Sequence, residues 1–286
     1  MKGEVRNVKQ RIQPLPVIEG AGVRLKRSFP TRALDYPDPF LLFDHFGSEN
    51  PADYVAGFPM HPHRGIETVT YMKAGQVRHG DSLGNKGVIQ AGDVQWMTAG
   101  RGILHEEMPA PLDGKMEGFQ LWVNLPAKLK MTSPRYQEVS AKDIPEYTLE
   151  TGVRIQVIAG EVDDVVGPVR EIAIDPTYLD VHVPAGVPFV LSTPPSHTVI
   201  AYVYEGSGYF DPGAADRNQP IFSPALLVYD LGEMLKIQAG DAALSFLVMM
   251  GAPLHEPIAR YGPFVMNTQE QIQQTLRDLR NNTFIR

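Results

Sequence analysis

Apolar residues fall in short runs of roughly four to eight along most of the chain, bounded by clusters of Gly, Pro, Asp and Asn. That pattern predicts many short strands joined by tight turns. From Arg24 to Tyr71 apolar segments alternate with proline pairs such as Asp35-Tyr36-Pro37-Asp38-Pro39, where proline forbids helix and interrupts strand ladders. Two strand-like runs between Thr68 and Met97 flank Asp81-Ser82-Leu83-Gly84-Asn85, whose Gly and Asn supply the positive φ angles of a hairpin connection. Gly92-Asp93 opens a further strand through Trp96 and Met97, and the turn Ala99-Gly100-Arg101-Gly102 leads into Ile103-Leu104-His105. The C-terminus alone has helical spacing. Asn267 or Thr268 can cap it, Gln271 stands three residues after Thr268, and Ile272, Leu276 and Leu279 form one stripe before a stop at Asn281-Asn282. The predicted role of that helix is to lay its stripe on a sheet.

A chain of 286 residues exceeds what one hydrophobic core usually serves. The polar, proline-bounded stretch between Asn124 and Pro134 is the natural break, giving an N-terminal domain over 1–135 and a C-terminal domain over 136–286 that ends in the helix. The pattern repeats weakly across that break: Val199 to Gly206 resembles Val69 to Gly75, and Gly240-Asp241 echoes Gly92-Asp93. The fold class is all-β.

Composition narrows the chemistry. Hydrophobic content of 43% against 21% charged residues is that of a folded globular protein. The absence of cysteine removes disulfides, thiolate catalysis and zinc–sulfur sites, so any metal must sit on His and carboxylates. A net charge of −7 supplies no field for nucleic acid or anionic lipid, and no direct nucleic-acid partner is expected. The one basic cluster, Arg24, Lys26, Arg27 and Arg32, reads as a solvated strand face. The basic start is not followed by an apolar run, and Ala242 to Leu254 is too short to span a bilayer and contains Gly251 and Pro253. A cytoplasmic protein without membrane contact is expected.

His61-Pro62-His63 places two imidazoles two residues apart, on one face of a strand. His105-Glu106-Glu107 repeats the spacing with an imidazole and a carboxylate after a turn that starts a strand. Brought together inside a barrel, the two pairs give one ion four ligands. Continuing the parity from His61 puts Gly65, Glu67, Val69 and Tyr71 on the same inner face, which makes Glu67 a rival carboxylate to Glu107 and leaves room at Gly65. Arg64, Ile66, Glu106 and Met108 then face away. Three imidazoles and a carboxylate suit Fe(II), and the same donors accept Mn, Ni, Cu or Zn. His45, inside Leu41 to Phe46, reads as a hydrogen-bonded structural histidine, whereas His79 and His182 need no more than surface or strand-end positions. Trp96, Phe119 and Trp122 read as core, with one of them the candidate wall of an apolar pocket.

Pro39 to Gly47, His61 to Tyr71, Gly92 to Pro109 and Glu256 to Thr268 together resemble the pirin family, a branch of the cupins. The resemblance implies two stacked cupin β-barrels (a bicupin), an Fe(II) ion in the first only, and a second barrel that has lost its ligands. It assigns the metal to His61, His63, His105 and Glu107, leaving Glu67 as pocket wall or proton acceptor beside Glu107. It also implies one of two roles. The first is a quercetin 2,3-dioxygenase that opens a flavonol with O2. The alternative is a non-enzymatic metal- or redox-sensing regulator acting through protein partners.

Overall fold

A computed structural model describes residues 3–110, 114–211 and 219–285. Strands make up almost all its regular structure, and among the described residues there is one α-helix, Gln269–Arg280. The chain forms two compact units that are not contiguous halves: Leu15–Ala141 with Leu254–Arg286, and Met1–Pro14 with Lys142–Pro253. The domains expected at 1–135 and 136–286 are thereby corrected at both termini and at the break. Strand Val8–Ile12 pairs with Ala225–Tyr229, Arg11 opposite Leu227 and Ile12 opposite Leu226. Pairing across more than two hundred residues leaves no local signature. The stretch expected to mark the break lies inside the first unit, where buried Lys130 donates to Asn124 Oδ1 (2.6 Å), Val265 O (2.8 Å) and Gly65 O (2.9 Å). Its polarity belongs to an internal strut.

Each unit is a two-sheet barrel with antiparallel neighbours. In the first, a seven-stranded sheet runs in the order Arg135–Val139, Val94–Thr98, Ile66–Ala74, Met116–Asn124, Phe40–Ser48, Val23–Phe29, Leu15–Glu19. It faces a four-stranded sheet ordered Phe58–His63, Ile103–Pro109, Gln76–Asp81, Lys86–Gln90. The second unit repeats the plan. Its large sheet runs Val8–Ile12, Ala225–Tyr229, Thr198–Glu205, Leu244–Gly251, Thr177–Val183, Arg154–Ala159, Glu146–Thr148, and its small one Pro188–Ser192, Met234–Ala239, Ser207–Tyr209, Ile221–Phe222. Ile66–Ala74 and Thr198–Glu205 hold the same place, and each is followed by a glycine, Gly75 or Gly206, at φ 75°. Only glycine takes that turn without strain.

The hairpin at Asp81 to Asn85 forms, with a division of labour that differs from expectation. Gly84 alone takes positive φ, at 91°. Asp81 pins the turn, its Oδ1 accepting from Leu83 N at 2.8 Å and Asn85 N at 2.9 Å.

The helix begins at Thr268 with a complete capping box to Gln271 and ends at Asn281. Ile272 buries against Phe264, Met266 and Phe284 within the first unit, a burial that stabilises by about 2 kcal/mol. Arg64 reaches it from the sheet: Nη1 donates to Asp278 Oδ2 at 2.7 Å and to Thr275 Oγ1 at 3.2 Å, and the guanidinium lies 4.4 Å from the Phe284 ring centroid. The helix is thereby locked to the segment that carries His61 and His63.

Candidate metal centre

His61 and His63 end strand Phe58–His63, and His105 lies on its neighbour Ile103–Pro109. His105 stands opposite His61, and Ile103 opposite His63. Alternation along one strand and register with the next converge the three rings, with centroids 4.4 Å (His61–His105), 4.9 Å (His61–His63) and 5.0 Å (His63–His105) apart. One ring nitrogen from each lies within 4.8 Å of the others, the one metal-competent group of three or more His, Asp or Glu among the described residues.

Tautomers and burial prepare these rings for an ion. His61 Nδ1 lies 2.9 Å from Pro59 O; a carbonyl only accepts, so Nδ1 carries the hydrogen and Nε2 keeps its lone pair. His63 and His105 are buried, and desolvation first, then repulsion from neighbouring imidazoles, holds both well below the ordinary histidine pKa. They stay neutral, as ligands must. Both ring nitrogens of His105 are enclosed without a hydrogen-bond partner among the described residues. An orphaned buried imidazole costs about 1–3 kcal/mol, and an ion on its lone pair removes that cost. The donor set therefore fits a divalent metal.

Glu107 lies outside the histidine group and lines the same cavity, of about 570 Å³. Its Oε1 accepts from Thr70 Oγ1 at 2.8 Å, and that hydroxyl also lies 2.9 Å from Gln120 Oε1. The remaining walls include Phe46, Phe58, Val77, Met116 and Trp122. Trp122 stands edge-on to His63, with centroids 5.1 Å apart. Of the three aromatics read as core, it is therefore the one that walls the pocket.

The parity carried from His61 through Gly65 to Glu67 is corrected. Thr70, not Glu67, Val69 or Tyr71, reaches the cavity from strand Ile66–Ala74. The count breaks at Arg64-Gly65, where Gly65 takes φ 81° and the chain passes from the small sheet to the large one. Gly65 leaves no room beside the metal either: a Cβ there would collide with the carbonyl of Val265. Glu67 is buried with Oε1 accepting from Thr98 Oγ1 at 2.7 Å and Oε2 from Trp96 Nε1 at 3.1 Å. Desolvation pushes its carboxyl upward in pKa.

The remaining histidines sort differently. His45 is buried with Nε2 3.1 Å from Glu117 Oε1, the structural contact expected. His79 is not at the surface: it is buried opposite Glu107, with Nε2 2.9 Å from Glu138 Oε1. Nothing in its sequence neighbourhood marks that burial. The supposed solvated basic face also changes, because Arg27 turns to the cavity wall and forks onto Asp44 at 2.7 and 2.8 Å while Nη1 meets Glu19 at 2.6 Å.

Two antiparallel barrels of one plan, one with a histidine cluster facing an open cavity, define a bicupin. The chain belongs to the pirin family: the Pirin model matches residues 22–123 and the Pirin C-terminal cupin domain residues 178–285. A Pseudomonas aeruginosa protein provisionally named a quercetin 2,3-dioxygenase is 46% identical over 271 residues, 93% of each chain. The crystal structure of quercetin 2,3-dioxygenase from Acinetobacter baumannii matches with TM-score 0.89 at 36% identity, covering 98% of both chains. A bacterial pirin from Escherichia coli, solved in complex with nickel(II), matches with TM-score 0.64 over 88% of this chain and 100% of the other. At 21% identity that last likeness is one of fold.

Proposed function

We propose that the protein is a metal-dependent dioxygenase of the quercetin 2,3-dioxygenase type, opening a flavonol with O2 and releasing carbon monoxide. The observation that carries this is the juxtaposition of three converging imidazoles with an aromatic-walled cavity on which Glu107 presents a carboxylate. His61, His63 and His105 hold the ion, with Glu107 as the carboxylate donor. When bound, Fe(II) supplies the Lewis acidity and redox chemistry that the side chains lack.

The chain's own groups do the rest. Thr70 fixes one oxygen of Glu107, and the other is the acceptor for the proton of the flavonol 3-hydroxyl. Phe46, Phe58 and Trp122 cover the flat rings and exclude water from them. Glu67, with both oxygens engaged, takes no part in the proton transfer.

The iron-loaded protein should consume O2 when quercetin is added, with carbon monoxide detected in the headspace. No uptake above free iron would overturn the activity and transfer the site to the regulatory role.

A further inference from the structure

Two arginines line the cavity, and their electrostatic positions differ. Arg27 is saturated by Asp44 and Glu19. Arg260 comes from the C-terminal strand Ala259–Tyr261, which joins the first unit. Its guanidinium carbon lies 5.3 Å from the Trp122 ring centroid. Nε donates to Gly262 O at 3.3 Å and Nη1 to Leu41 O at 3.4 Å, both long contacts to neutral carbonyls. Among the described residues no carboxylate stands within ion-pair distance of it. The acidic groups whose fields reach it are Asp35, Glu19 and Asp44, and the last two are engaged by Arg27.

We propose that Arg260 is the anion-recognising residue of the cavity, and that the preferred ligand is a flat aromatic molecule carrying a negatively charged group at the Arg260 end. A guanidinium that caps an aromatic wall extends a stacking surface for planar rings and presents a cation at its edge. Its two weak carbonyl contacts are readily exchanged for a carboxylate or phenolate, which forms shorter, charge-assisted bonds. Trp122 couples the two ends of the pocket, touching His63 at its edge and Arg260 over its ring. The inference deepens the proposed function, since it rests on this cavity being the substrate site, and makes Arg260 a specificity-determining residue.

The test reads binding rather than turnover. Metal-loaded protein under argon is titrated calorimetrically with 3-hydroxyflavone-4′-carboxylate and with its neutral methyl ester. The carboxylate should bind about tenfold more tightly than the ester. Arg260→Met, which keeps an unbranched stem over Trp122, should bring the two within about twofold, with the carboxylate losing more affinity than the ester and metal content retained. Arg260→Lys should restore part of the preference. Equal binding of both ligands by the wild type, or a preference that survives in Arg260→Met, overturns the proposal. Absent quercetin turnover would leave this titration readable, and equal binding here would leave O2 uptake with neutral flavonols untouched.

Discussion

The two barrels share a sheet plan and differ in what fills them. In the small sheet of the first, the paired strands bring His61, His63 and His105 together, and His61, His63 and Glu107 line an open cavity. The same places in the second are held by Pro188–Ser192 and Met234–Ala239, where Leu191 pairs with Leu235 and Phe189 with Ile237. All four are buried in one cluster with Val153, Ile155, Val181, Val203, Phe246 and their neighbours. Donors in one barrel are hydrocarbon in the other. One barrel interior is therefore closed with packed hydrocarbon, while the other accepts orphaned imidazoles and a void, features that cost stability and make sense as a site.

The contrast can be attacked by exchanging the residues. Leu235→His places an unpartnered imidazole in the packed core and removes a buried leucine, and should destabilise the second barrel by about 4 kcal/mol in chemical unfolding. A loss near zero would mean that the second interior tolerates donors. Next in size is Asp278→Ala, which strands the Arg64 guanidinium between helix and sheet and should lower stability by about 3 kcal/mol. The converse exchange runs the other way: His105→Leu should stabilise the metal-free protein by about 1 kcal/mol while abolishing metal uptake.

The smallest effect concerns Glu67. Its native carboxyl holds a proton to higher pH than the unfolded one, so the wild type loses stability as pH rises from the ordinary carboxylate range through the raised native value. Glu67→Gln can still accept from Trp96 and donate to Thr98. It should lack that pH dependence, keep the metal and keep the rate of O2 uptake. A variant that binds metal yet loses rate would return Glu67 to the reaction.

What was legible in the sequence was what local rules govern. His61, His63 and His105 converge because alternation holds within a strand and the turn at Gly100 and Gly102 starts the next one in register. The capping box at Thr268 closes within four residues and so announces itself. Parity failed at Gly65, where one left-handed residue moves the chain to another sheet and hides Glu67 from the cavity. The exchange of termini was invisible for a different reason. Val8–Ile12 completes the second large sheet in the place that Arg135–Val139 takes in the first, and nothing in either segment states its partner. His255 likewise lies in sequence beside the C-terminal barrel yet belongs to the first unit, at φ 53° with its N donating to Asp38 Oδ2 at 2.7 Å. Arg260 carries no local signal, because its neighbour Trp122 is distant in sequence and adjacent in space.

The central claim is that one barrel holds metal and the other does not. Metal content per chain, measured by mass spectrometry on protein loaded with excess Fe(II) and freed of loose ions, tests it directly. The account predicts one equivalent in the wild type, one in Phe189→Ala, and none when His61 and His105 are both replaced by alanine. Two equivalents in the wild type, or one retained in the double histidine variant, would contradict it.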